Sequence, residues 1–168
     1  MAMPRISKLR AGILMSIEVT LGFFALPLAL SAFSVHYAWN PGPSWWNLPG
    51  IIFVSVGSVL LLSGLRAQFG SLTNPQRLSL SLPEHLIQTG PYRFTRNPLY
   101  LAAGLMWLGW TVFFGSLLIL VGLAILVGGT SSVVIPWEER KSEMQFGDAY
   151  VRYKRAVPRW LGRRHPLE

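Results

Sequence analysis

The sequence contains no cysteine, which excludes a disulfide scaffold, a thiolate metal site and a cysteine nucleophile. Charge is scarce too. Asp, Glu, Lys and Arg make up 13% of the 168 residues, against about a quarter in soluble domains. With 51% hydrophobic residues and a mean hydropathy of +0.40, an ordinary water-soluble domain is excluded. Acidic residues are the scarcest charges, seven against fifteen Lys and Arg, for a formal net charge of +8. Such an excess fits either a nucleic-acid binder or the cytoplasmic face of a membrane protein. The three histidines, His36, His85 and His165, are scattered without metal-ligand spacing, and no metal site is expected.

The charges are absent from particular places. Ala11 to Ser34 carries only Glu18, and Leu48 to Leu65 carries none. Each is long enough for a bilayer crossing, which takes about 20 helical residues. Leu99 to Ile135 is 37 residues without a charge, far too long for one crossing, so it must fold back. Gly115-Ser116 is the expected bend. The expectation is an all-α integral membrane protein, one domain over 1–168, with four transmembrane helices over about 11–34, 48–65, 99–114 and 117–135. The third and fourth form a tight helical hairpin. The flanking segments 1–10, 35–47, 66–98 and 136–168 hold three, zero, four and eight Lys and Arg. By the positive-inside rule both termini and the 66–98 loop lie in the cytoplasm. The basic excess is then an orientation signal, and no nucleic-acid partner is expected. The first apolar run is longer than the roughly 7 to 15 residues of a signal-peptide core and is read as uncleaved. Trp39, Trp45 and Trp46 in the outer loop belong to an interfacial belt.

Two cytoplasmic segments carry the chemistry-bearing side chains. The first, Gly90-Pro91-Tyr92-Arg93-Phe94-Thr95-Arg96-Asn97-Pro98-Leu99-Tyr100, ends where a membrane helix starts at Pro98. Two arginines and two tyrosines beside a helix N-terminus suit an anion; they equally suit lipid headgroups and topology. The second opens with Pro136-Trp137-Glu138-Glu139-Arg140. Pro136 is expected to start a cytoplasmic amphipathic helix over roughly Glu138 to Val157, bent at Gly147 and ended by Pro158. Phe146, Tyr150, Tyr153 and Val157 share one face of it. Such a helix either lies on anionic lipid or folds over the loop to close a pocket. Glu18, a carboxylate inside the first span, is a further candidate needing a partner.

These segments, the hairpin between them and the closing Phe146-Gly147-Asp148-Ala149-Tyr150-Val151-Arg152-Tyr153 and Val157-Pro158-Arg159-Trp160-Leu161 resemble the isoprenylcysteine carboxyl methyltransferase family and the related phospholipid N-methyltransferases. The likeness covers about Leu82 to Leu161. It implies methyl transfer from S-adenosylmethionine to a lipophilic small molecule or lipid at the cytoplasmic membrane face, by carboxyl O-methylation or amine N-methylation. The resemblance places the site in 82–100 and 136–161. It assigns Gly90, Tyr92, Arg93, Arg96, Asn97, Tyr100 and Glu139 to the cofactor, and Glu138, Glu139 and Tyr100 to catalysis. Many members have histidine where this chain has Asn97, and an amide does not titrate. Eukaryotic members carry an arginine shortly before the acidic pair. This chain reads Val133-Val134-Ile135-Pro136-Trp137, without the expected partner for a prenylcysteine carboxylate. Two other functions fit the membrane plan: a nicotinamide-dependent reductase of steroid-reductase-like plan, and a non-catalytic lipid-binding protein.

Overall fold

A computed structural model describes residues 21–33, 44–70 and 85–162. The start of the first span with Glu18, most of the outer loop, the middle of the 66–98 loop, the basic N-terminal residues and the end of the tail lie outside the described residues. Among the described residues every regular element is helical. In chain order they are a π-turn Leu21–Ala25 running into α1 (Leu26–Phe33), a 3-10 turn Trp45–Asn47 leading into α2 (Leu48–Gly70), and a 3-10 turn Gly90–Arg93. Then come α3 (Pro98–Phe114), α4 (Leu117–Gly129), a π-turn Thr130–Val134, α5 (Ile135–Phe146) and α6 (Asp148–Ala156).

Two helices, Trp45–Gln68 and Leu117–Phe146, are long and apolar enough to cross a membrane, and Leu21–Phe33 and Pro98–Phe114 are shorter apolar helices. Only 22% and 11% of the most apolar stretches of the two long helices are buried within the protein. Leu62, Val59 and Ile52 on α2 and Ile125 and Val121 on α4 are exposed. Apolar surface on that scale marks contact with something other than water.

The central contact is the antiparallel pair α2 and α3. Gly50, Gly57 and Gly64, seven residues apart, meet α3 at Gly109, Met106 and Leu99. A Cβ on Gly50 would sit 2.5 Å from Gly109 O, and one on Gly109 would sit 2.7 Å from Gly50 O. The backbones touch there because both residues lack a side chain. Where apolar solvent removes the hydrophobic drive between helices, such close packing is what remains to hold them. Asn47 locks one end of this pair, its Nδ2 donating to Val112 O at 3.0 Å and Phe113 O at 2.7 Å in the last turn of α3.

The hairpin turns where the sequence places it. Gly115 takes the left-handed conformation (φ 58°, ψ 34°), and the Ser116 side chain caps α4 by accepting from the Ile119 N–H at 3.2 Å.

The second arm departs from expectation. Pro136 does not begin a new helix: residues Leu117–Phe146 run as one helix of 30 residues. The π-turn explains this. The Ile135 N–H bonds Thr130 O, five residues back, and the widened turn admits the Pro136 ring without breaking the axis. At about 1.5 Å per residue the helix spans about 45 Å, more than the roughly 30 Å hydrocarbon core. Its charged residues, Glu138, Glu139, Arg140, Lys141 and Glu143, all follow Ile135, so 136–146 continues the helix beyond the apolar run. Glu138 and Glu139 therefore do not lie at a free helix N-terminus. The expected single amphipathic helix is two: Gly147, at φ 54° and ψ −131°, divides α5 from α6.

The first π-turn precedes Pro27 in the same way. Lacking an N–H, Pro27 can pair with neither Phe23 O nor Gly22 O. Those two carbonyls accept instead from Trp110 Nε1 at 2.8 Å and Trp107 Nε1 at 3.0 Å. The two tryptophans thereby tie α1 to α3 with backbone groups that apolar surroundings cannot leave unpaired.

Candidate functional site

The site lies where α3 begins, against the far end of α5. Gly90 (φ +59°) opens the 3-10 turn, and the Tyr92 and Phe94 N–H groups bond back to Thr89 O and Pro91 O. The turn buries Tyr92 and leaves Arg93 and Phe94 exposed. Tyr92 hydrogen-bonds Gln68 of α2, and burial pushes its hydroxyl up to about 12.

The tail is stitched onto this turn. The Arg96 N–H donates to Pro158 O at 3.1 Å. Thr95 Oγ1 and Asn97 Nδ2 both donate to Arg159 O, at 2.9 and 3.0 Å. The Tyr153 hydroxyl donates to Tyr92 O at 2.7 Å. Tyr150, Tyr153, Ala156 and Val157 form a buried cluster with Leu86 and Phe146 packed against it. The shared face read from the sequence is thus the face with which α6 closes over the loop. Burial raises the Tyr150 and Tyr153 hydroxyls above their ordinary range, keeping both neutral.

The adjacent glutamates end in different surroundings. Glu138 is half-buried and its Oε1 accepts from the Tyr100 hydroxyl at 2.8 Å. Burial holds its carboxyl above the ordinary range, against the opposing effects of that hydrogen bond and of Lys141. Lys141 Nζ itself lies 3.5 Å from the centre of the Trp137 ring. Glu139 is buried, its side chain 8% exposed, between two arginines. Arg159 grips it in bidentate fashion, Nε to Oε1 at 3.1 Å and Nη2 to Oε2 at 2.9 Å. Those bonds raise the Arg159 pKa further.

Arg96 Nη1 approaches Glu139 Oε1 to 2.8 Å, with the Arg96 side chain 9% exposed. The angle is poor for a hydrogen bond, and among the described residues neither Nη1 nor Nε has an acceptor. The Arg96 charge also lies near the Tyr150 hydroxyl and opposes the effect of burial there. Glu139 supplies the counter-charge but leaves two buried donors without a hydrogen bond, which is costly unless a further acceptor completes them.

Of the residues singled out from the sequence, Tyr92, Arg96, Asn97, Tyr100, Glu138 and Glu139 converge at this end of the protein. Gly90 shapes the turn from an exposed position, and Arg93 is exposed beside it. Asn97 holds the tail in place, a task an amide performs without titrating. Sequence reasoning did not single out Arg159, Thr95 or Gln68. Arg159 stood inside the quoted Val157 to Leu161 stretch, but nothing in its spacing pointed to Glu139, twenty residues earlier.

An all-helical chain with long, largely unburied apolar helices and its polar groups gathered at one end belongs to the class of helical membrane proteins. Residues 46–149 match the phospholipid methyltransferase family, and the chain belongs to that family of membrane methyltransferases. The matched stretch runs from α2 through both glutamates and stops before Tyr150. An uncharacterized protein of Haemophilus influenzae is 40% identical over 63 residues, 38% of this chain and 100% of the relative. No solved structure matches.

Proposed function

We propose that the protein is an S-adenosylmethionine-dependent methyltransferase of the cytoplasmic membrane face that methylates a lipophilic acceptor. The membership of the family supports the reaction class, and the surplus of Lys and Arg in segments 1–10, 66–98 and 136–168 supports four spans with both termini in the cytoplasm. The observation that carries the reading is the juxtaposition of Arg96, buried with idle donors, and the Tyr100–Glu138 pair on the neighbouring turn of α5.

These residues fit the methyl donor. Its amino-acid end carries a carboxylate, which Arg96 matches in charge and for which it has donors without a hydrogen bond. Its adenine suits the aromatic surfaces of this end of the protein. Bound there, the sulfonium supplies an activated methyl that needs no metal or covalent intermediate.

The chain then has three tasks. Arg96 fixes the donor, and the α6 cluster over residues 92–97 keeps water away from it. Glu138, its carboxyl raised above the ordinary range by burial, takes the proton when the acceptor is an amine or hydroxyl. Tyr100 holds the Glu138 oxygen in place through its hydroxyl. The exposed apolar helices let a greasy acceptor remain in the bilayer while its reactive end reaches the polar site.

Incubating membranes that contain the protein with isotopically labelled S-adenosylmethionine, followed by mass spectrometry of the lipid fraction, tests this. Labelled lipid above the level of membranes carrying Arg96→Ala is expected. Label no higher than in that variant would contradict it.

A further inference from the structure

Arg159 lies beyond the stretch that matches the family, yet it is bound more completely to Glu139 than Arg96 is. Three charges meet here, two guanidiniums and one carboxylate, leaving one positive charge in surplus. Arg159 donates a hydrogen bond to each Glu139 oxygen, whereas Arg96 makes an ion pair in which neither Nε nor Nη1 is hydrogen-bonded. The Tyr150 hydroxyl near Arg96 is neutral and does not remove the surplus, and Glu143, one turn beyond Glu139 on α5, is engaged by Lys154 Nζ at 2.6 Å.

We propose that Arg159 is a positioning residue that arms Arg96: by drawing both Glu139 oxygens into its own hydrogen bonds, it keeps the Arg96–Glu139 ion pair incomplete and leaves Arg96 donors for the carboxylate of the methyl donor. The inference rests on the methyl-donor reading above. Glu139 is then an internal competitor for Arg96 as well as its neighbour, and the tail decides which partner Arg96 has. The backbone shows how. Thr95 and Asn97 hold Arg159 O, and the Arg96 N–H holds Pro158 O, so the strap that carries Arg159 is docked by the residues flanking Arg96. Undocking the strap withdraws Arg159, and Glu139 and Arg96 then pair with each other in a neutral site that no longer favours an anion. Docking of the tail and capture of the donor are therefore coupled.

The test compares two probes on the detergent-solubilised full chain by calorimetric titration: S-adenosylhomocysteine and its decarboxylated analogue. Wild-type protein is expected to bind the first about a hundredfold more tightly than the second, the effect of one charge-assisted pair. Arg159→Gln is expected to erase that gap by weakening S-adenosylhomocysteine alone. Arg159→Lys, which keeps the charge, and Glu139→Gln, which removes the competitor, are expected to retain it. A gap retained in Arg159→Gln, an equal weakening of both probes, or a gap lost in Glu139→Gln would each overturn the inference while leaving the methyl-donor reading intact. If Arg159→Gln does not fold, Glu139→Gln decides alone. Wild-type protein that binds neither probe would overturn the reading and the inference together.

Discussion

The two ends of α3 are held by opposite means. Toward Gly109 it packs on α2 through glycine backbone against glycine backbone, while Ile51, Ile52 and Val56 of α2 turn outward. Around Arg96 and Asn97, just before it begins, hydrogen bonds and ion pairs dock the tail beside the apolar cluster of α6, and the charged Glu139 and Arg96 side chains are turned inward. In a water-soluble protein the assignments would be reversed. The inversion teaches that α3 joins two solvents: a region that needs only close packing, because its surroundings are already apolar, and a region that buries charge, because charge is what it has to recognise.

Adding a side chain to the packed region should have the largest effect. Gly109→Val places atoms where a Cβ alone already sits 2.7 Å from the Gly50 backbone. A loss of about 3 kcal/mol or more is expected, seen as failure to purify as a monodisperse species or as a large drop in melting temperature. In the polar region, Arg96→Ala should leave the melting temperature within a few degrees, yet weaken S-adenosylhomocysteine binding about a hundredfold, as expected for a lost charge-assisted pair. Tyr100→Phe removes one hydroxyl from Glu138 and should lower kcat about tenfold with little change in donor KM, measured by steady-state methyl transfer. Smallest is Trp110→Phe, which leaves Phe23 O without its donor and should cost about 1 kcal/mol in thermal unfolding with turnover unchanged.

Much of this division is legible in the sequence. The hairpin at Gly115-Ser116 follows from an apolar run too long for one crossing, interrupted by one residue suited to a left-handed turn and one suited to capping. The start of α3 at Pro98 follows from proline's fit to a first helical turn. The face of Phe146, Tyr150, Tyr153 and Val157 follows from helical spacing.

What was not legible depends on partners far apart in the chain. Gly50, Gly57 and Gly64 are isolated glycines in a greasy stretch until α3 is laid across them. Pro136 carries the usual signature of a helix start, and only the π-turn at Thr130–Val134 reveals that the helix passes through it. Two identical neighbours, Glu138 and Glu139, differ because successive helical residues face about 100° apart. One meets Tyr100 and the other meets two arginines. Arg159 reaches Glu139 only after α6 has turned at Gly147 and the chain beyond Val157 has docked on residues 95–97.

The central claim is that the buried, incompletely paired Arg96 receives the methyl donor. Calorimetric titration of purified wild-type and Arg96→Ala protein with S-adenosylhomocysteine tests it most directly. Saturable binding to the wild type with about a hundredfold weaker binding to the variant, both with comparable melting curves, is the predicted result; equal affinity in a folded variant would contradict it.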